Sequence, residues 1–559
     1  MLESITAFFT SVILLFISFF TPSVPSAMPE EELKNIPSYF EKSELPNKLY
    51  VIDVGTFGGV DKFHMTVCLQ GLVAKDKPQI FIKTNSTDSY YLDKIEKSGI
   101  EIVYTDDDGN RWTIETLLEK FKSYIADFGY VLYRQSEDGI GLNMATNLST
   151  VYGYLAVPES LENLAIRSGL TIKEDFSDDR YNAISQLKIY NKYKNEFNNS
   201  AVVHAHYDMK GLRDLAIQEG LFCFFVDDDV DGTWFRNYVF KESGDNSLVL
   251  GWAKYEVKYV RNASQNGNPV IPSDHCYNNS FITSFDCELP KQAHNEAKTY
   301  TDESKHYCAL LFSDGDNVQW IQNGFSEYYQ KLALETDFPM TWTFPPLLQE
   351  MSPVAYNRII EDSTINDYFI AGVSGAGYIH PSEYPYKALT EFTDITASMM
   401  LKSNLEYVSF LDDLPENAFK EARLLESFKY FARYDSIKGG IVYLDPDRYM
   451  SGKGSVYFVE DKPFVCARLS LWHPSNEKSE VTKDWIEDQA EIVNSYSADI
   501  HSINGYSVIN VHPWSMSIEN LEYFVNSLDG DIVLVTVDEL LEMIKINVPH
   551  NNAEVSENV

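Results

Sequence analysis

The chain of 559 residues has few positive charges and lacks the short motifs that mark several large enzyme classes. Lys and Arg number 45 against 83 Asp and Glu, which gives a formal net charge of -38. Because a strongly negative surface repels phosphate groups, we expect no nucleic-acid partner. The sequence also contains no P-loop, no dinucleotide fingerprint in a strand–helix context, and no nucleophile elbow. These absences leave phosphoryl transfer and hydride transfer without support.

The six cysteines show no metal-binding spacing such as Cys-x2-Cys. Cys276 and Cys287 flank a loop rich in Asn and Ser, where a disulfide is compatible with an oxidising compartment. The other four lie in apolar runs and are typical of inert core residues: Cys68, Cys223, Cys308 and Cys466. We therefore predict no bound cofactor and assign no metal ligand, although a divalent metal stays open as an alternative.

Residues 5–20 form an apolar run that is too short to span a bilayer comfortably, and no second run is long enough. Small residues follow at 23–27, so we predict a signal peptide over residues 1–27 and a secreted protein. No Lys or Arg precedes the run, and an uncleaved membrane anchor therefore stays an alternative. Five Asn-x-Ser/Thr sequons agree with export and predict a glycoprotein: Asn85, Asn147, Asn198, Asn262 and Asn278.

The length of the chain predicts three to four domains, each with its own alternation of strands and helices. We expect an α/β fold with Rossmann-like N-terminal α/β domains followed by a C-terminal (β/α) barrel-like domain. The predicted divisions are an N-terminal domain at 45–140, a second α/β domain at 141–215, a small third α/β segment at 216–295, the barrel-like domain at 300–548, and a polar tail at 549–559.

The most informative segment is Ser-Asp-Gly-Asp-Asn-Val-Gln-Trp at residues 313–320, directly after an apolar run at 307–312. That run predicts a buried strand, and loops at strand ends carry the chemistry of α/β proteins. Asp314 and Asp316 flank Gly315, so their carboxyl groups can converge on one pocket. A purely structural alternative is that these aspartates cap a helix that begins near Val318.

A second segment, Gly-Ala-Gly-Tyr-Ile-His-Pro at residues 375–381, predicts a tight turn that brings backbone close to a ligand. Together with segments such as 69–73, 143–148 and 270–274, it makes the chain resemble the GxGYxYP family, described as a family of glycoside hydrolases. The resemblance implies a carbohydrate substrate and a multidomain architecture. One departure is His380, which stands where the family motif has its second tyrosine.

We therefore expect hydrolysis of a glycosidic bond by two carboxyl groups, which lie roughly 5–5.5 Å or 6.5–9.5 Å apart in such enzymes. Asp314 or Asp316 is one candidate, and Asp412 or Asp413, after the apolar run 407–411, supplies the other. The predicted substrate-binding residues are Asn317, Gln319, Trp320, Trp342, Gly375, Gly377, Tyr378, His380, Glu383, His512 and Trp514.

Two other functions stay open. Asp314, Asp316 and His512 are a set of metal-binding residue types, as in metal-dependent polysaccharide deacetylases, although the His-x-x-x-His pair of those enzymes is missing. The other alternative is a non-catalytic carbohydrate-binding surface protein, which the change to His380 favours. The acidic run Asp227, Asp229 and Asp231 partly matches a calcium loop, but Tyr238 stands where that loop has Glu, which favours a solvated acidic turn.

Overall fold

The structure is a computed structural model that describes residues 23–136, 138–178, 181–206, 208–227, 230–293, 297–325 and 337–556. The predicted signal peptide lies almost wholly outside the described residues. The described chain is a mixed α/β protein whose strands form four sheets that are parallel except for one pair, β16 with β17. This confirms the predicted α/β class at the level of its parallel sheets.

Three small sheets come first. The first has the order β2-β1-β3, the second β5-β4-β6 and the third β10-β9-β7-β8. Their strands are β1 (Lys48–Asp53), β2 (Ile80–Lys83), β3 (Glu101–Val103), β4 (Gly129–Tyr133), β5 (Leu155–Pro158), β6 (Thr171–Phe176), β7 (Ala201–His204), β8 (Phe222–Phe224), β9 (Leu248–Gly251) and β10 (Val270–Ile271). The predicted divisions at residues 140 and 215 fall between strands that pair in the second and third sheets.

The fourth sheet has ten strands in the order β16-β17-β15-β14-β13-β12-β11-β19-β18, with β20 also paired to β11. They are β11 (His306–Phe312), β12 (Met340–Phe344), β13 (Asp367–Ala371), β14 (Tyr407–Asp413), β15 (Gly439–Asp445), β16 (Val456–Val459), β17 (Lys462–Cys466), β18 (Leu469–Leu471), β19 (Tyr506–Val511) and β20 (Ile532–Val535). β11 is buried along its whole length, as expected for a parallel strand covered on both faces.

The helices lie mostly between consecutive strands. They are α1 (Glu30–Leu33), α2 (Val60–Ala74), α3 (Asp88–Lys97), α4 (Ile114–Phe121), α5 (Ile140–Tyr152), α6 (Glu162–Arg167), α7 (Ala183–Tyr193), α8 (Arg213–Glu219), α9 (Val230–Ser243), α10 (Glu256–Gln265), α11 (Asn279–Ile282), α12 (Val318–Trp320), α13 (Leu348–Met351), α14 (Pro353–Glu361), α15 (Tyr386–Ser403), α16 (Ala418–Ala432), α17 (Lys483–Asn494), α18 (Ile518–Asn526) and α19 (Val537–Asn547).

The predicted barrel is not confirmed as a closed ring. The apolar run at 464–471 predicts a single strand, but the structure divides it into two, β17 paired with β15 and β18 paired with β19. Between them, Ala467 N donates to Val442 O and Arg468 N donates to Val508 O. Residues 467 and 468 therefore contact β15 and β19 in turn, although the ladder of the described strands ends in β16 and β18.

The small sheets pack against the fourth sheet rather than standing apart from it. Leu49 of β1, Val203 of β7 and Leu310 of β11 belong to one contiguous cluster of buried apolar side chains. A polar link adds to this packing, because Asn278 Oδ1 accepts hydrogen bonds from Ile82 N (2.7 Å) and Gln70 Nε2 (2.9 Å). Residues from different sheets can therefore be held in one rigid site.

The structure bears on the disulfide and the glycosylation sites that the sequence suggested. Cys276 and Cys287 are free thiols, so the disulfide considered between them is not formed. The sequon residues Asn147, Asn262 and Asn278 are buried, whereas Asn198 is exposed. A glycan cannot attach to a buried side chain in the folded protein. Within the described parts of the chain, no helix combines the length and the apolar character needed to cross a bilayer.

Candidate active site

The loop after β11 holds the two predicted aspartates against the neighbouring strand. Asp314 adopts a φ of 63°, in the left-handed region that non-glycine residues rarely occupy. Gly315 has to be a glycine, because a Cβ there would lie 2.0 Å from the backbone oxygen of Thr343 in β12. The missing side chain lets the loop pack onto β12 and places Asp314 and Asp316 on one wall.

That wall belongs to a cavity of about 220 Å³ at the carboxyl ends of the central strands of the fourth sheet. The lining combines acids, aromatic rings and small polar groups: Glu256, Asp314 and Asp316; Trp252, Tyr378, Tyr443, Tyr449 and Trp514; Ser313, Asn317, Gln319, Thr343 and Ser409; and Pro272, Val373 and Leu411. Carboxyl ends of parallel strands are where α/β proteins place their ligands.

Glu256 is the acid that sequence reasoning missed. It begins α10, which follows β9 of the third sheet, and so it comes from a different sheet than Asp314. Burial raises the pKa of Glu256 to about 7, and the charge of Asp314 adds to the rise. The Tyr378 hydroxyl donates to Glu256 Oε1 at 3.2 Å and opposes it. The sequence signal that could have identified Glu256 is an acidic residue shortly after the apolar strand β9 and close to Trp252.

Asp316 is the second acid whose protonation the cavity changes. Burial raises the pKa of Asp316 well above its usual value, and the charges of Asp314 and Glu256 act in the same direction. Three carboxyl groups that share a small cavity cannot all ionise at neutral pH without strong mutual repulsion. Burial and mutual repulsion therefore favour the protonated forms of Asp316 and Glu256.

Asp314 is oriented by a donor at each carboxylate oxygen. Trp514 Nε1 donates to Oδ1 at 3.1 Å, and Ser313 Oγ donates to Oδ2 at 2.8 Å. His512 Nε2 lies 3.9 Å from the same Oδ2. Burial lowers the pKa of His512 to about 4, so this imidazole is neutral at pH 7. Its ring stacks on Trp472 with centroids 4.0 Å apart.

The glycine segment positions Tyr378 rather than contacting the cavity through its glycines. Tyr378 N and O pair with the backbone of Val270 in β10, at 2.9 and 3.0 Å. Gly375 has a φ of 99°, and a Cβ there would lie 2.4 Å from Thr396 Cγ2. A Cβ on Gly377 would lie 2.8 Å from Pro269 Cβ. Close packing therefore explains both glycines, with Gly375 against α15 and Gly377 against the third sheet.

Asp412 and Asp413, at the end of β14, lie outside the cavity lining and beside His380. Asp412 is buried, and its carboxylate accepts hydrogen bonds from Ser382 N at 2.7 Å and Ser382 Oγ at 2.8 Å. Asp413 pairs with Arg261. His380 Nδ1 lies 3.9 Å from Asp413 Oδ2. The structure therefore brings these predicted residues together as a second group.

The remaining predicted residues divide between the cavity and the core. Asn317 lines the cavity and caps α12, and Gln319 Oε1 accepts from His275 N at 2.7 Å. Trp320 packs on Trp514 with centroids 4.8 Å apart. Trp342 is fully buried and donates to Asp367 Oδ1 at 2.9 Å. Glu383 accepts from Gln265 Nε2 at 3.2 Å. Their parts in binding and catalysis stay predictions.

One group of potential metal ligands lies close together in the structure. The described residues contain one group of three whose ligand atoms all lie within 4.8 Å of one another, and it consists of His380, Asp412 and Asp413. The predicted set of Asp314, Asp316 and His512 does not meet this distance. Part of the acidic run at 227–231, considered above as a calcium loop, lies outside the described residues.

Comparisons with known proteins agree with the motifs. A profile described as "GxGYxYP putative glycoside hydrolase C-terminal domain" matches residues 304–545, and one described as "GxGYxYP third domain" matches 199–284. The chain is similar to the crystal structure of a "putative hydrolase" from Bacteroides thetaiotaomicron VPI-5482, with 25% identity and a TM-score of 0.79 over 94% of this chain and 99% of that one. No curated protein matches. The two profiles cover more than half of the chain, which belongs to the GxGYxYP family.

Proposed function

We propose that this protein hydrolyses a glycosidic bond in the cavity at the carboxyl end of the fourth sheet. The observation that carries the proposal is the convergence of Glu256, Asp314 and Asp316 on one cavity lined by aromatic rings. Paired carboxyl groups with different protonation states are what glycosidic hydrolysis requires. The family description and the hydrolase description of the similar structure support the same reaction class.

Glu256 is the proposed general acid. A pKa of about 7 leaves a large fraction of this carboxyl group protonated at neutral pH, so it can donate a proton to the departing sugar oxygen. The Tyr378 hydroxyl then stabilises the carboxylate that remains, through its hydrogen bond to Oε1. Asp412 and Asp413 stay the alternative partner acids predicted from the sequence.

Asp314 is the proposed base or nucleophile. Its two oxygens are held by Trp514 and Ser313, which fixes the direction in which the carboxylate faces the cavity. Asp316, protonated beside it, is a hydrogen-bond donor for a sugar hydroxyl. The Tyr443 hydroxyl also lines the cavity and is buried without a hydrogen-bond partner among the described residues, so a bound sugar can supply one.

The size of the cavity favours a single sugar ring. Its volume of about 220 Å³ is below the range of about 300–1,000 Å³ usual for drug-sized ligands. Trp514 is 39% exposed and packs on Trp320, so an indole face is available at the mouth for the apolar side of a sugar. We infer that the enzyme holds a terminal residue while the rest of the glycan lies outside.

The test measures release of reducing ends from a broad panel of glycans. We expect Glu256→Gln and Asp314→Asn each to lower turnover by about 10²–10⁴-fold, the usual contribution of an acid–base group. Glu96→Gln is the matched control, because Glu96 is exposed and does not line the cavity. Circular dichroism and thermal melting verify that each variant folds.

Asp412→Asn decides between the two candidate partner acids. Full turnover in Glu256→Gln combined with loss in Asp412→Asn would move the acid to Asp412. Binding of a glycan without turnover in the wild-type protein would leave carbohydrate binding as the function.

Secretion is part of the proposal, and N-terminal sequencing of protein from the culture medium tests cleavage after residue 27.

A further inference from the structure

A second polar cluster lies beside the cavity without lining it. It consists of His380, from the glycine segment, together with Asp412 and Asp413 at the end of β14. We propose that this cluster binds a divalent transition-metal cation, with zinc as the metal that suits it best. The proposal does not rest on the proposed hydrolysis, because none of the three residues belongs to the cavity wall.

His380 is the observation that points to a ligand. Its side chain is 1% exposed, and neither ring nitrogen has a hydrogen-bond partner among the described residues. Buried imidazole nitrogens are almost always bonded, so a pair of unbonded ones calls for a missing partner. Nδ1 lies 3.9 Å from Asp413 Oδ2, and the ligand atoms of all three residues lie within 4.8 Å of one another. Ligand atoms around a tetrahedral zinc lie roughly 3.3 Å apart, so a bound cation would draw these side chains closer together.

The carboxylate of Asp412 is already held in place for such a role. Ser382 donates to it through its backbone N at 2.7 Å and its Oγ at 2.8 Å, and Asp413 N donates to Oδ1 at 2.8 Å. Hydrogen bonds of this kind orient metal-ligating carboxylates and are characteristic of built metal sites. Oδ1 accepts two of these hydrogen bonds, whereas Oδ2 accepts one and keeps a lone pair for a metal.

The charges around the cluster are compatible with a cation. The carboxyl groups of Asp412 and Asp413 both face the imidazole of His380. Arg261 pairs with Asp413, and its positive charge competes with a metal for that carboxylate. That pair is partly exposed, with side-chain exposures of 39% and 20%. A metal can therefore enter at Asp413 and compete with Arg261 for its oxygen.

The donor set selects the type of metal. One imidazole nitrogen and two carboxylate oxygens are typical ligands of zinc and related transition metals, and a water can complete four-coordination. Calcium and magnesium prefer oxygen ligands alone. The family motif has tyrosine at position 380, and tyrosine is a much weaker ligand than histidine. The histidine of this chain thus adds the nitrogen that the site needs.

The experiment is calorimetric titration of the metal-free full-length protein with ZnCl2, together with metal analysis of the protein as purified. We expect one zinc per chain in the wild-type protein. His380→Tyr, which restores the family residue, should lower zinc affinity by at least about 100-fold while the protein stays folded. Ser382→Ala should lower it by about 10-fold, since it only orients Asp412.

Arg261→Gln gives the readout that a purely structural cluster would not produce. Removing the competing guanidinium should raise zinc affinity, whereas loss of an ordinary ion pair would leave it unchanged. Calcium titrated in the same way should not bind at this site. Absence of zinc binding in the wild-type protein, or equal zinc affinity in wild type and His380→Tyr, would overturn the proposal.

Discussion

At the scale of single residues, the environment of each carboxyl group decides its chemistry. Glu256, Asp314 and Asp316 have the same functional group, yet burial raises the pKa of Glu256 to about 7 and raises that of Asp316 well above its usual value. Asp314 instead has a donor at each oxygen. The division into a proton donor and an oriented carboxylate therefore arises from neighbours and not from residue type.

Tyr378→Phe tests this environment directly. The hydroxyl of Tyr378 stabilises ionised Glu256, so its loss should raise the pKa of Glu256. Turnover that needs protonated Glu256 falls as the pH rises past about 7 in the wild type. In the variant this alkaline limb should move up by as much as about one pH unit, the equivalent of one hydrogen bond. The measurement is kcat/KM against pH.

Tyr443→Phe is the matched control, because it removes a hydroxyl from the same cavity that makes no hydrogen bond to Glu256. Its alkaline limb should stay where it is in the wild type. A limb that moves equally in both variants would mean that Glu256 is not the titrating acid.

Asn278→Ala tests a residue that joins parts of the chain far apart in sequence. Asn278 bonds to Ile82 N and O and to Gln70 Nε2 in the interior. Its loss should lower the free energy of unfolding by about 2–4 kcal/mol, because buried backbone groups of Ile82 lose their partners. Urea denaturation measures this. Asn199→Ala, at an exposed position, should change it by less than about 0.5 kcal/mol.

At the scale of elements, apolar strands were predictable and polar ones were not. The apolar run at 129–133 predicts a strand and coincides with β4, whose five residues are all buried. The strand β6 escaped prediction because its sequence Thr-Ile-Lys-Glu-Asp-Phe is exposed except for the last residue. Hydrophobic periodicity signals burial, and an exposed strand gives none. The pair β17 and β18 looked like one strand for the opposite reason, since both are mostly buried.

Gly315→Ala tests the turn between β11 and α12. The new Cβ would lie 2.0 Å from Thr343 O, so the loop must move away from β12 and take Asp314 and Asp316 with it. We expect stability to fall by about 1–3 kcal/mol and turnover by about 100-fold, since a displacement of about 1 Å is enough for the latter. Turnover and urea denaturation are measured together.

Gly324→Ala provides the comparison for this prediction. The nearest atom to a Cβ at Gly324 is Trp320 Nε1 at 3.8 Å, which is an ordinary contact. Both turnover and stability should therefore stay close to wild type. Wild-type turnover in Gly315→Ala would show that the loop does not position the reacting groups.

At the scale of the whole molecule, the net charge of -38 is a cost to the folded state. Mutual repulsion between surface carboxylates favours unfolding and is screened by salt, since the Debye length falls from about 30 Å at 0.01 M to about 8 Å at 0.15 M. Raising NaCl over this range should increase the free energy of unfolding by on the order of 1 kcal/mol.

Urea denaturation at each salt concentration measures this effect, with KCl in parallel to separate screening from specific ion binding. Equal gains in both salts identify screening. A protein that loses stability with salt would show instead that its surface ion pairs outweigh the repulsion.

The sequence by itself determined the family, the α/β class and the loop that carries Asp314 and Asp316. These are local properties, because they follow from the order of motifs and from apolar runs of strand length. Only the tertiary structure decided that Glu256 faces that loop, that His380 meets Asp412 and Asp413, and that the fourth sheet does not close through its paired strands. Glu256 precedes Asp314 by almost sixty residues. Packing of the third sheet against the fourth joins them, and no local pattern encodes that contact.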